Sequence, residues 1–142
     1  MAPYLLSCKW AGGRLGMVTL GKPDEKARVV LCVDDDASSL ELRRQFLELA
    51  GFTVIVAGAP EEGLELFRTH PEVEAAILDY QMPRMNGGEL AEAMKRIRPG
   101  VPVMIVSSLP WLPEDAPKCI DAFVSKCAPS SDLTTTVAQL VS

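Results

Sequence analysis

Four apolar runs in the chain each deliver a residue that can do chemistry. Val29-Val30-Leu31-Cys32-Val33 empties into Asp34-Asp35-Asp36, and Ala75-Ala76-Ile77-Leu78 empties into Asp79. Val101–Val106 is followed by Ser107-Ser108, and Ala122-Phe123-Val124-Ser125 leads to Lys126. Taken singly, each has an ordinary explanation. An aspartate that closes a strand bonds the turn backbone ahead of it, and acids at a helix start satisfy free N–H groups and suit the helix dipole. Asp36 fits that capping role, and a lysine at a strand end is simply solvated. If the four strands share one parallel sheet, however, their carboxyl ends lie along one edge, where open α/β sheets place their ligands. Carboxylates gathered there repel one another, so a cation must offset them. The donors are all oxygen, with no histidine or cysteine, which favours a hard divalent ion, Mg²⁺ or Mn²⁺.

The segments between the runs supply the elements that such a sheet needs. Runs without polar/apolar alternation fit parallel strands buried on both faces. After the acid cluster, Leu42, Phe46, Leu49 and Ala50 recur at helical spacing, and Gly51 is placed to stop the helix. Thr53–Ala57 reads as a second strand, Pro60 opens a helix with Leu64 and Phe67 inward, and the Asp79 strand comes third. A helix from about Gly88 carries Leu90, Met94 and Ile97, and a last one, capped by Ser131, carries Leu133, Val137 and Leu140. Between Leu109 and Ile120, Pro110, Pro113 and Pro117 are spaced to prevent a regular helix. Strand and helix thus alternate five times with one helix damaged, which predicts a single parallel sheet covered on both faces.

Composition bounds the rest. The 142 residues suit one domain, and 48% hydrophobic with 23% charged residues is ordinary for a soluble globular protein. A net charge of −5 without a long Lys/Arg cluster argues against direct nucleic-acid binding. No apolar run approaches the ~20 residues of a membrane span, so no membrane insertion is expected. Cys8, Cys32, Cys119 and Cys127 make no Cys-x-x-Cys pair and accompany one histidine, His70, a pattern of reduced cytoplasmic thiols rather than a zinc site. Residues 1–27 are expected to be an N-terminal extension, flexible or partly artefactual, ahead of a domain at 28–142. Met17 is a possible alternative start, and Leu5-Leu6-Ser7-Cys8 has too short an apolar lead to be a lipoprotein signal.

Together these segments resemble the receiver domain of the two-component response-regulator family, close to the chemotaxis type that consists of a receiver alone. The matching residues are Val33-Asp34-Asp35-Asp36, Leu78-Asp79-Tyr80-Gln81-Met82-Pro83-Arg84-Met85-Asn86-Gly87, Val103–Ser108 and Phe123-Val124-Ser125-Lys126, over about Arg28 to Leu140. The resemblance implies a flavodoxin-like, doubly wound five-stranded sheet of order 2-1-3-4-5, with the fourth helix replaced by the proline-rich segment. It implies that Asp79 accepts a phosphoryl group from a sensor histidine kinase or phosphotransfer protein. Asp35, Asp79 and the Gln81 backbone carbonyl would bind Mg²⁺, with Asp34 acting mainly through water. Lys126 would pair with Asp79 at rest and with the phosphoryl group afterwards; Ser107 would close onto that group and Phe123 would rotate inward behind it. Such a protein signals to a downstream partner through a changed binding surface and is not a turnover enzyme.

Two departures bear on mechanism. Where the family places proline after the lysine, in a cis peptide, this chain has Cys127, so the loop is strained or differently built. The proline-rich segment alters the face that receivers commonly use for output. Trp111 within it is either an exposed partner contact or a cover over apolar surface left by the missing helix. These departures leave open an alternative, a receiver-like interaction module whose switch is uncoupled from phosphorylation.

Overall fold

The computed structural model describes Tyr4–Leu6, Val18–Leu20 and residues 27 to 142. Strands β1 (Tyr4–Leu6) and β2 (Val18–Leu20) pair antiparallel as a separate two-stranded sheet. Otherwise the expected flexible lead-in, including Cys8, Trp10 and the start at Met17, lies outside the described residues.

The main sheet contains β3 (Val29–Val33), β4 (Thr53–Ala57), β5 (Val73–Asp79), β6 (Val103–Ser107) and β7 (Ala122–Ser125). Their order is β4-β3-β5-β6-β7, parallel throughout, which is the expected 2-1-3-4-5 arrangement. Alternate residues of the central strands face opposite sides, so one continuous apolar run feeds two cores. Leu31, Val33, Ala76, Leu78, Val103 and Ile105 pack beneath α2 (Pro60–Thr69) and α3 (Gly87–Ile97) with Phe67, Leu90 and Met94. Val30, Cys32, Ala75, Ile77, Met104 and Val106 pack beneath α1 (Ala37–Leu49) and α4 (Ser130–Val141) with Leu40, Leu47, Leu133 and Val137. From β4 at the sheet edge the chain crosses β3 to reach β5. The carboxyl ends of β3 and β5 therefore flank the switch point, the usual ligand crevice of such sheets.

Helix α1 corrects one expectation. Its inward stripe is Leu40, Arg43 and Leu47, whereas Leu42 and Leu49 are exposed and Phe46 is half-buried. The helix carries two competing stripes, and an apolar count favours the one without the arginine. A second correction concerns α4, which begins at Ser130 behind Pro129, with no side-chain cap from Ser131. Gly51 does stop α1: it sits at φ 101°, where an L side chain would be strained, and its N–H donates to the Glu48 carbonyl.

Between β6 and β7 no helix forms, as the three prolines require. Leu112, Cys119 and Ile120 from this segment pack onto the core over α3. The fit is close, since a Cβ on Gly88 would lie 2.7 Å from Pro117 Cδ. Asp121 fastens the far end by accepting from the Val103 N–H at 2.8 Å and from Lys95 Nζ at 2.8 Å. Trp111 does not serve as the cover, for it is 66% exposed.

Candidate functional site

Three strand ends converge on one cluster. Asp34 follows β3, Asp79 ends β5, and Lys126 follows β7. Carboxylate oxygens of Asp34, Asp35 and Asp79 lie within 4.8 Å of one another. Asp34 is fully buried, Asp79 is nearly so, and Asp35 is exposed. Lys126 Nζ lies 3.0 Å from Asp79 Oδ1 and 3.2 Å from Asp34 Oδ2, so one ammonium bridges two buried carboxylates.

The charges leave their mark on the ionisation of these groups. Burial pushes the Asp79 carboxyl above its ordinary value; the Lys126 hydrogen bond opposes this, and the charges of Asp34 and Asp35 reinforce it. Burial alone would lower the Lys126 ammonium, but its bond to Asp79 and the Asp34 and Asp79 charges outweigh that and raise it. The anionic Asp79 is thus disfavoured by folding when no metal is bound. Asp79→Asn is expected to raise the melting temperature by a few degrees at neutral pH without divalent cations. That gain is full above the folded-state pKa of Asp79 and fades as pH falls through it, because the wild-type carboxyl is then protonated as well. Thermal denaturation of both proteins across acidic pH measures it.

The loop after Asp79 is held at several points. The Tyr80 N–H donates to the Val106 carbonyl, and the Tyr80 carbonyl accepts from the Gly87 N–H. Gly87 is required by close approach: a Cβ there would stand 2.5 Å from the Asp79 carbonyl oxygen. Arg84 sits at φ 70° and is clamped by Glu61, which accepts from its Nε at 3.0 Å and its Nη2 at 2.9 Å. That pairing holds the Glu61 carboxyl down at about 2. Asn86 and Glu89 then form a reciprocal capping box at the start of α3.

The other expected residues lie around this centre. Ser107 is fully buried at the end of β6, and its Oγ accepts from the Leu109 N–H at 3.2 Å. Phe123 is half-buried on β7 and packs against the α2/α3 core. Gln81 is exposed, and its side-chain oxygen accepts from the Ser108 hydroxyl at 3.2 Å. Asp36 takes the N-cap position of α1 and accepts from the Ser39 hydroxyl, while its N–H donates to Asp34 Oδ1 at 2.8 Å. The Lys126–Cys127 peptide is trans, so this loop is built differently from the cis arrangement.

Sequence reading missed one member. Arg43 is only 7% exposed, and its Nη2 donates to Asp34 Oδ2 at 3.1 Å. The available signal was its place between Leu40 and Leu47 at i, i+3 and i+7, a charge on an otherwise inward stripe. Three carboxylates against Lys126 and Arg43 leave the cluster with net negative charge. An all-oxygen set with that surplus, partly open at Asp35, fits a hard divalent cation.

Comparison with known proteins agrees with this geometry. Residues 30–138 match the family model described as the response regulator receiver domain. The chain is 40% identical over 83 residues to a protein-glutamate methylesterase/protein-glutamine glutaminase of Chromohalobacter salexigens, covering 56% of this chain and 23% of that protein. It is 34% identical over 93 residues to a cyclic di-GMP phosphodiesterase of Thermotoga maritima, covering 66% and 24%. The chain therefore spans about a quarter of the length of these curated relatives. Among solved structures, a CheY-like response regulator receiver domain protein from Methanospirillum hungatei superposes with a TM-score of 0.75 at 26% identity, over 82% of this chain and 94% of that one. The receiver domain of Francisella response regulator 1452 gives 0.73 at 25% identity, over 80% and 96%.

Proposed function

The chain belongs to the response regulator receiver family, and on that premise we propose that it takes a phosphoryl group onto Asp79 and signals through a changed protein-binding surface. The observation that carries this reading is the contact of Lys126 Nζ with Asp79, 3.0 Å away, inside a cluster of three carboxylates. An Asp79 carboxylate oxygen attacks the phosphorus of a phosphohistidine on a sensor kinase or phosphotransfer protein. The new O–P bond forms as the P–N bond breaks, and the electron pair leaves with the imidazole. Asp35, Asp79 and the Gln81 backbone carbonyl would hold Mg²⁺, with Asp34 behind them. When bound, that ion supplies positive charge against the phosphoryl oxygens.

The chain's own groups do the remainder. Lys126 transfers its bond from the Asp79 carboxylate to the phosphoryl oxygens, so it interacts differently with the two states, as a population shift requires. Ser107 exchanges its bond with the Leu109 N–H for one to the phosphoryl group, and Phe123 moves into the space behind it. Donation to an added group of roughly −2 charge is strong enough to bias such a switch. We read the protein as a phosphoacceptor acting in the cytoplasm on an unidentified downstream partner, not as a turnover enzyme. Aspartate-nucleophile phosphatases typically place a second aspartate two residues after the nucleophile, where this chain has Gln81.

In receiver domains the positions held here by Gln81 and Leu109 influence how fast the phosphoryl group is lost. Leu109 cannot orient an attacking water by a hydrogen bond, so the acyl phosphate is expected to be long-lived. Its decay under Mg²⁺ after removal of the donor measures this; rapid loss would contradict the reading.

The trans peptide at Lys126–Cys127 and the replaced fourth helix favour a second reading, an interaction module whose scaffold persists while the switch is uncoupled. Trp111 separates the two. In a Trp10→Phe background, phosphorylation by acetyl phosphate with Mg²⁺ is expected to change Trp111 fluorescence. Phosphorylation with an unchanged spectrum favours the uncoupled module.

A further inference from the structure

We propose that Arg43 is a positioning residue that holds Asp34 in the place of a metal ion, lowering the resting affinity for divalent cations and freeing Lys126 for the phosphoryl group. The inference rests on the phosphoacceptor reading of the site. Arg43 lies on the inward stripe of α1 between Leu40 and Leu47, both buried leucines. Packing alone would be met there by another apolar side chain, and replacing a buried ion pair in that way is often neutral or stabilising. The guanidinium is also incompletely bonded: Nη2 donates to Asp34, while Nη1 is buried with no partner among the described residues. A buried donor left unmade is costly. Its charge on Asp34 is the compensating interaction.

Asp34 is correspondingly committed. Its Oδ1 accepts from the Asp36 N–H at 2.8 Å, and its Oδ2 is shared by Arg43 at 3.1 Å and Lys126 at 3.2 Å. Without Arg43, Lys126 would be the sole cation among the described residues on a fully buried carboxylate, and could move away only by leaving it unpaired. With Arg43 in place, Asp34 keeps a partner when Lys126 turns to the phosphoryl oxygens. The same charge sits beside the three-carboxylate cluster and repels a divalent ion there.

The test is calorimetric titration of the full chain with Mg²⁺, in the wild type, Arg43→Gln, Arg43→Lys, Arg43→Met and Asp35→Asn. Arg43→Gln is expected to bind Mg²⁺ on the order of tenfold more tightly, with Arg43→Lys returning toward the wild-type affinity. At saturating Mg²⁺, Arg43→Gln is expected to bind beryllofluoride, a phosphoryl mimic, several-fold more weakly, because Lys126 stays with Asp34. If Arg43→Gln does not fold, Arg43→Met, which keeps an apolar side chain between Leu40 and Leu47, is expected to show the same tightening; a wild-type Mg²⁺ affinity in it would overturn the proposal. Equal Mg²⁺ affinity in the wild type and Arg43→Gln, or equal tightening in Arg43→Gln and Arg43→Lys, would also overturn it. Asp35→Asn separates the two levels: Mg²⁺ binding that does not depend on Asp35 contradicts the site reading itself.

Discussion

Asp35→Asn is expected to reduce Mg²⁺-dependent phosphoryl uptake from acetyl phosphate by at least about two orders of magnitude, with little change in stability. The size of the effect follows from the use of electrostatics in phosphoryl transfer, where charge stabilisation and positioning supply most of the acceleration. Asp35 is the exposed member of the cluster, and Asp34 cannot stand in for it. Both Asp34 oxygens already accept hydrogen bonds, from Asp36, Arg43 and Lys126. Removing Asp35 therefore takes away the carboxylate best placed for a solvent-borne ion, while no buried charge loses its partner. Initial rates over a range of Mg²⁺ concentrations, beside urea unfolding curves, measure both halves of the expectation. A variant that keeps the wild-type rate would show that Asp35 is not a metal ligand.

Its neighbour is expected to behave in the opposite way. Asp34→Ala should destabilise the fold by about 3–5 kcal/mol, because it strands the buried Arg43 guanidinium. Lys126 retains Asp79, so the loss falls chiefly on Arg43. Replacing both partners, as in Asp34→Ala/Arg43→Met, is expected to restore most of that stability, since an apolar pair avoids the desolvation of either charge. Denaturant midpoints for the two singles and the double close the cycle, and a purely additive double would contradict the coupling.

The contrast between adjacent aspartates was only partly legible from sequence. The parallel strands, the edge that gathers their polar ends and the missing helix could be read from strong local signals, whereas the strand order came only from the resemblance to receiver domains. Apolar runs without alternation mark buried parallel strands, and prolines at 110, 113 and 117 forbid a helix whatever surrounds them. Asp79 and Lys126 were predicted to meet and do so. What could not be read was the rotation of α1. Leu42, Phe46 and Leu49 form as good an apolar stripe as Leu40 and Leu47, and choosing the face occupied by Arg43 requires knowing that Asp34 is buried and needs a cation. A carboxylate two turns away in three dimensions decides the face, and helical periodicity carries no record of it. The start of α4 was misread for a related reason: Ser131 is a good cap by residue type, but the β7–α4 connection places Pro129 at the boundary.

Trp111 shows the reverse case. Sequence left it as either a cover or an exposed contact, and the packing of Leu112, Cys119 and Ile120 decides against the cover. An aromatic exposed at 66% on the segment that follows Ser107 is well placed to report a change at Asp79, the proposed phosphoacceptor. That gives the altered face a readout even though its helix is gone.

The central claim is that Asp79 is a metal-assisted phosphoacceptor, and intact-mass analysis tests it most directly. The full chain is incubated with acetyl phosphate and Mg²⁺, beside Asp79→Ala and a sample stripped of divalent ions. The account predicts a single added phosphoryl group in the wild type, absent from Asp79→Ala and from the metal-free sample. No adduct from a wild-type protein shown separately to bind Mg²⁺, or an adduct that survives Asp79→Ala, would contradict it.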